Sequence, residues 1–393
     1  MAKNATTVNN FLQDLLVKSL PYAKSDVKEI SDYAKKLGHK GELMPWDFSY
    51  YSEKLKKEKY SLDDEILKPY FKLENVIDAV FSLANTLYGL NFTEATDIPG
   101  YHPDVKVYDV TDANGRHMAV FYADFFPRES KRGGAWMTSF REQGFSKDGK
   151  VENRPFTSIV CNFTKPTENE PSLLTFYEVT TFLHEFGHAL HGILAEGKYA
   201  SLTGTGVARD FVELPSQIME NWATEKEYLA SFAKHYQTGE VIPQELVDKI
   251  IESKNYNSGY ASVRQLQFGI GDMAWHSVTQ VPSEDVVAFE KEAVKVCALM
   301  PDVAGTAFAP SFGHIFSGGY AAGYYSYKWA EVLEADAFQV FKETGIFNKE
   351  TAEKFRKEIL SRGSIEDADV IYRNFRGRDP EPDALLKKFG MVK

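Results

Sequence analysis

The chain has 393 residues, 43% of them hydrophobic and 26% charged, with a formal net charge of −11; this is the composition of a soluble globular protein, with room for two or three domains or one large helical one. The acidic balance, with no Lys/Arg cluster carrying interleaved aromatics, argues against nonspecific binding to nucleic acid or an anionic membrane. No 18-residue apolar run offers a membrane span, no basic-then-apolar leader opens the chain, and two cysteines, Cys161 and Cys297, are too few for a disulfide framework, so a reducing cytoplasm is the expected home.

Helical spacing runs through residues 6–38 (Val8, Phe11, Leu12, Leu15, Leu16, then Val27, Ile30, Tyr33), with Pro21 expected to kink or divide the stretch. A second helix is predicted near 46–58, with its lysine-rich end read as a solvated face, and one or two more over 62–90. The period then changes. Strands are predicted at 105–110 and 117–124, flanking the turn signal Asp112-Ala-Asn-Gly115, and another at 158–163. Residues 128–136 read as a charged loop in which Gly133-Gly134, beside Trp136, would let backbone approach a ligand. Either 117–124 or 133–137 could take an extended peptide through backbone hydrogen bonds. Beyond the next motif, helices are predicted at 213–237, 243–253, 258–279, 284–299, 322–344, 349–362 and 380–389.

That motif is H-E-x-x-H: His184, Glu185 and His188, inside 176–196. On a helix, side chains four apart lie about 40° apart around the axis and one turn up. Two imidazoles so placed can hold one zinc ion at about 2.0–2.1 Å, while the adjacent glutamate reaches a water on the same ion. The segment has no proline and carries an apolar stripe (Leu183, Leu190, Leu194). Gly187 and Gly192 lower helix propensity by up to about 1 kcal/mol each, which points to close packing or ligand approach. The plain alternative is a hydrogen-bonded histidine pair in a core. His191 is about 10 Å along the axis from His184 and cannot join the same ion on a straight helix, so a hydrogen-bonding role is expected for it.

A catalytic zinc needs a third protein ligand and an open position. The best candidate is Glu213 in Asp210-Phe-Val-Glu-Leu-Pro-Ser-Gln, 25 residues after His188, with Glu220 as a weaker rival. Asp210, three residues before Glu213, is expected to accept a histidine N–H from behind. The alternative for Glu213 is a carboxylate favoured by a helix dipole. A second constellation follows at 312–329, where Tyr320, Tyr324 and Tyr327 are spaced four and three apart with His314 and three glycines nearby. Tyrosine stripes are commonly core, but this density of hydroxyls favours a substrate surface, and phenols suit an oxyanion.

With His-Glu-Phe-Gly-His at 184–188, Asp-Phe-Val-Glu at 210–213, Gly-Gly-Tyr…Tyr-Tyr…Tyr at 318–327, Lys131-Arg-Gly-Gly-Ala-Trp136 and Arg373-Asn-Phe-Arg-Gly-Arg378, the sequence resembles the thimet-oligopeptidase-like family of zinc metallopeptidases, within it the bacterial peptidyl-dipeptidases and oligopeptidases. The resemblance implies a mainly α, multi-helix zincin-type catalytic region over 1–393 with a small β-sheet beside the H-E-x-x-H helix. Its parts would be a helical stretch 1–100, the sheet and zinc helices 101–230, and a helical substrate-binding stretch 231–393. It also implies one Zn2+ per chain on His184, His188 and Glu213, Glu185 as base, Tyr327 as oxyanion donor, and Tyr320, Tyr324 and His314 at the substrate.

Relatives in that family are longer, with an N-terminal helical region that walls a channel; the resemblance implies that this chain is either a catalytic fragment or is completed by a separate N-terminal segment. The expected reaction is hydrolysis of short peptides with release of C-terminal dipeptides, internal cleavage being the alternative. Exo-cleavage needs an anchor for the substrate carboxylate, for which Arg128, Arg132 and Arg209 are candidates. The competing classes are a peptide-binding subunit that needs another chain for turnover and a zinc amidohydrolase acting on non-peptide amides.

Overall fold

The computed structural model describes residues 1–283 and 285–392, which divide into two discontinuous units. The first unit comprises 1–62, 252–332 and the C-terminal stretch from 382. Its frame is the helix Ala5–Lys36, started by Asn4, whose side chain accepts from Thr7 N at 2.9 Å. Pro21 lies inside this helix without dividing it. A mid-helix proline costs roughly 3 kcal/mol, and the buried stripe Val8, Leu12, Leu15, Ala23 and Ile30 on both sides of it outweighs that cost. The stripe packs on the helix Ser258–His276. At the two close approaches that helix carries Gly259, with no room for a Cβ beside the Ala23 backbone, and Gly269, whose Cβ would stand 3.1 Å from Leu12. The helix predicted at 284–299 starts on a position outside the described residues and is found as Val286–Val294 with a tight turn Lys295–Cys297.

The second unit, 63–251 with 333–381, holds the sheet. Its strands are β1 (Asn91–Glu94), β2 (Lys106–Thr111), β3 (His117–Asp124), β4 (Trp136–Arg141) and β7 (Phe156–Val160), in the order β1-β2-β3-β7-β4. A short separate pair is formed by β5 (Gly144–Phe145) and β6 (Glu152–Asn153). All neighbours in the five-stranded sheet are antiparallel except β3 and β7. The β2–β3 turn follows its sequence signal: Asp112 Oδ1 accepts from Asn114 N and Arg116 N at 2.8 and 3.0 Å, and Gly115 takes φ +80°. The stretch expected as a loop up to residue 136 instead leads into β4, an edge strand.

The helix Phe176–Ile193 lies against β7 and β4. Thr175 caps it, its hydroxyl accepting from Glu178 N while Glu178 reaches back to Thr175 N at 2.8 Å. Phe182, Phe186, Ala189 and Ile193, three or four residues apart, are all 0% exposed and form the buried face. Phe186, inside the H-E-x-x-H motif, sits among Phe81, Phe92 and Phe121, its ring centre 5.6–6.0 Å from theirs. Burial of such a side chain contributes about 1.5–3 kcal/mol, so one residue of the motif fixes the helix to the sheet. The single helix predicted over 213–237 is broken into Leu214–Glu220, a tight turn Asn221–Thr224 and Lys226–Phe232. A helix at Ala368–Arg376, which the sequence reading passed over, is pinned by Tyr372, whose hydroxyl donates to buried Asp336 at 2.7 Å. No helix among the described residues is long and apolar enough to cross a membrane.

Candidate active site

His184 and His188 project from consecutive turns of the Phe176–Ile193 helix, their ring centres 5.0 Å apart. Glu213 stands at the junction of two short helices, Arg209–Val212 and Leu214–Glu220, where Pro215 starts the second. Its Oε2 lies 3.4 Å from His184 Nε2 and 3.1 Å from His188 Nε2. The close approach of these helices has a specific cause. A Cβ on Gly187 would run into the Pro215 carbonyl, so only glycine at the third place of His-Glu-Phe-Gly-His lets the carboxylate reach the imidazoles. Gly192 does the same against the sheet, where a Cβ would meet Thr157 Cγ2 at 2.7 Å.

One donor atom from each of His184, His188 and Glu213 lies within 4.8 Å of the others, and two imidazole nitrogens with a carboxylate oxygen are a donor set that suits zinc. The orientation also fits. His184 Nδ1 donates to Glu220 Oε1 at 2.7 Å; a carboxylate only accepts, so Nδ1 keeps its proton and Nε2, which faces Glu213, is the nitrogen that would give up its proton to a metal. Ser216 Oγ donates to Glu213 Oε2 at 3.1 Å and steadies it from the other side. Burial disfavours a charged His184, yet its hydrogen bonds to Glu213 and Glu220 hold the imidazole well above its ordinary pKa. Burial would likewise raise Glu213, but the charge of His188 and hydrogen bonds from both rings pull it well below. This protonated cluster is what a divalent cation would replace.

Glu185 is 5% exposed, and its Oε2 has no hydrogen-bond partner. Burial pushes its carboxyl above the usual range against the opposing charge of the two histidines. A buried, unpaired carboxyl beside the candidate ligands is unusual unless a ligand or water meets it. His191 is fully buried, neither ring nitrogen has a partner, and burial brings its pKa down to about 3. It is a neutral core residue, and the hydrogen bond expected for it is not formed. The carboxylate behind His184 is Glu220, two helical turns beyond Glu213; Asp210, expected to accept a histidine N–H, is buried in the helix before Glu213.

The second constellation lies in the first unit. The helix expected over 322–344 begins only at Ser326, so Tyr320 and Tyr324 stand in the turn before it and do not share a helical face with Tyr327. Their rings nonetheless gather, with Tyr320–Tyr327 and Tyr324–Tyr327 centres both at 5.2 Å and His314 within 5.8–6.4 Å of all three. Tyr324 is buried, burial raises its pKa, and its hydroxyl donates to Gln265 at 2.9 Å. Gly318 is needed because a Cβ there would stand 3.0 Å from the His314 backbone. The turn is clamped by a residue the sequence reading missed. Fully buried Asp272 accepts from Ala322 N at 2.9 Å and Tyr324 N at 2.8 Å, holding Ala322 at φ +52°, and pairs with His276 Nδ1 at 2.7 Å. The signal available was modest, an Asp and a His four apart on a helix.

The peptide-docking expectation separates. β3 is paired with β2 and, over 120–124, also with β7, so that part of 117–124 has no edge to offer. β4 is paired only to β7 within the sheet, and Trp136 opens that edge strand. Of the arginines considered as anchors, Arg128 is engaged with Asp124 by two hydrogen bonds of 2.8 Å.

The profile of peptidase family M3 matches residues 1–391. The chain is 42% identical over 394 residues to oligopeptidase A of Escherichia coli (strain K12), covering all of this chain and 58% of that protein. It is 41% identical over 394 residues to dipeptidyl carboxypeptidase of the same organism, covering all of this chain and 57% of the relative. The chain thus spans less than two thirds of the length of these curated relatives. Among solved structures it is similar to PZ peptidase A with an inhibitor, at 13% identity and a TM-score of 0.55 over all of this chain and 58% of that one, a likeness of fold. The match along nearly the whole length, with the H-E-x-x-H helix and a mostly helical fold that includes a small mixed sheet, makes the chain a member of peptidase family M3.

Proposed function

We propose that the chain is the catalytic region of a zinc-dependent oligopeptidase of the cytoplasm, with one Zn2+ held by His184, His188 and Glu213, that hydrolyses short peptides and releases C-terminal dipeptides. The observation that carries the reading is the convergence of two Nε2 atoms on one Glu213 oxygen, beside the unpaired buried carboxyl of Glu185. The names of the relatives, an oligopeptidase and a dipeptidyl carboxypeptidase, support peptide substrates.

When bound, zinc supplies Lewis-acid polarisation of water and of the scissile carbonyl. Glu185 takes the proton of the attacking water on its carboxylate and delivers it to the leaving nitrogen; its raised pKa suits a group that must hold that proton between the two steps. Tyr327 donates its phenol to the developing oxyanion, and Tyr320, Tyr324 and His314 bind the substrate around it. Glu220 orients His184, and Asp210 supports the short helix that ends at Glu213. The free edge of β4 aligns the peptide by backbone hydrogen bonds.

A defined decapeptide, incubated with the zinc-loaded chain and followed by mass spectrometry, tests the reading. Successive loss of 2-residue C-terminal pieces is expected; internal cuts would assign an endo-acting oligopeptidase, and an intact peptide would remove the hydrolase reading for this chain alone. The share of the relatives that this chain spans supports a second reading, in which turnover needs a further helical segment. Restoration of cleavage on adding the corresponding region of a relative would select it.

A further inference from the structure

Only one face of the sheet meets the H-E-x-x-H helix. Thr157 of β7 and Met137 and Ser139 of β4 turn toward Gly192 of that helix. Their alternating neighbours, Ser158, Trp136, Thr138 and Phe140, turn the other way and line an open cavity of about 600 Å3, within the size range of small-molecule sites. Side chains of β3 and of the loops at 99–101 and 128–132 complete it. All of these residues belong to the second unit.

The cavity has a built polar floor. Asp124 is 0% exposed; beyond its two bonds from Arg128 it accepts from Lys131 Nζ and from the Tyr101 hydroxyl, each at 2.9 Å. Lys131 donates as well to the carbonyls of Asp124 and Phe126, so its ammonium is fully engaged. Two cations around one carboxylate leave this wall positive. Arg132 adds a third. Its guanidinium lies over the Trp136 ring, 5.1 Å from the centre, and makes no hydrogen bond or ion pair among the described residues. The remaining wall is aromatic. Tyr101, Tyr122 and Phe140 form a cluster with ring centres 5.6–6.2 Å apart, and Tyr101 and Phe140 are 48% and 55% exposed.

These features select a ligand class. A guanidinium held over an indole presents its N–H edge, which takes a carboxylate by two parallel hydrogen bonds. One uncommitted cation matches a singly charged carboxylate better than the two charges of a phosphate monoester. Exposed rings beside it suit an aromatic or bulky apolar group. We propose that this cavity is a second ligand site, on the sheet face away from His184 and His188, which takes a carboxylate carrying an aromatic or bulky apolar side chain. Two sources share that chemistry: the C-terminal residue of a peptide and a free aromatic amino acid. The inference does not rest on the proposed hydrolysis, because binding is read directly.

The test titrates N-acetyl-L-phenylalanine into the whole chain, kept metal-free with a chelator, by calorimetry. Parallel titrations use its carboxamide, N-acetylglycine, free phenylalanine and a blocked peptide ending in phenylalanine. Saturable binding of the acid is expected, with the carboxamide and N-acetylglycine each at least about tenfold weaker. Arg132→Gln should bring the acid down to the level of the carboxamide and leave the carboxamide unchanged. Thr138→Trp, which fills the cavity, should abolish both, and Glu213→Gln should bind as the unaltered chain does. Preference for the blocked peptide or for free phenylalanine identifies the source, either result supporting the site. The proposal is overturned by no saturation at about 10 mM, by equal affinity for acid and carboxamide, by an Arg132→Gln variant that binds normally, by tighter binding of adenosine monophosphate, or by loss of binding in Glu213→Gln. Should Thr138→Trp fail to fold, the Arg132→Gln comparison decides alone.

Discussion

The two clusters of candidate catalytic side chains are built in opposite ways. His184, Glu185 and His188 sit on consecutive turns of a capped helix that is locked to the sheet by Phe182 and Phe186, and Glu213 reaches them because Gly187 has no side chain. The tyrosines occupy an irregular turn that one buried carboxylate, Asp272, holds through two backbone N–H groups, with a non-glycine residue in the left-handed region. A site on a regular element is rigid by default, whereas one on a turn depends on whatever clamps it. The first should therefore fail only when its chemistry is removed, and the second also when its support is.

The largest effect should come from chemistry alone. Glu185→Gln should keep a full complement of zinc by elemental analysis while kcat falls by about 10²–10⁴; near-normal turnover would reject Glu185 as the base. Next, Tyr327→Phe should lower kcat by about 10²–10³ with little change in KM, and a change confined to KM would make Tyr327 a binding residue. Glu220→Ala removes the acceptor behind His184 and should weaken zinc binding by about 10–100-fold in a chelator competition, with kcat at saturating zinc far less affected. The smallest is the sharpest for the comparison. Asp272→Ala strands the buried Tyr324 N–H, about 1–3 kcal/mol for an unsatisfied buried group, releases the Ala322 N–H, and should lower kcat through loss of the tyrosine arrangement while zinc affinity stays as it was. Equal loss of zinc affinity would mean that the two clusters are not supported separately.

The same contrast explains what was legible in the sequence. Helical period placed His184 and His188 on one face, and distance along the chain with a Gly-rich turn singled out Glu213, because these depend on local geometry. The break of the predicted 213–237 helix at Asn221 and the late start of the tyrosine helix at Ser326 were not legible, since both turn on tertiary partners. Asn221 donates to Glu334 at 2.6 Å, 113 residues away, and Asp272 is about 50 residues from the turn it clamps. β4 was hidden for a related reason: its strand character comes from pairing with β7, and its residues Trp-Met-Thr-Ser-Phe-Arg carry no clean alternation. Glu220, legible in the sequence as a rival ligand, lies two turns past Glu213, a position that suits a role behind the histidine equally well.

The most direct test of the account is the position of bound metal. Crystals grown with zinc and measured across the zinc absorption edge should show one anomalous peak per chain, within coordination distance, about 2.0–2.2 Å, of His184 Nε2, His188 Nε2 and a Glu213 oxygen. A map with no peak among these atoms, or with Glu213 turned away from a metal held elsewhere, would contradict it.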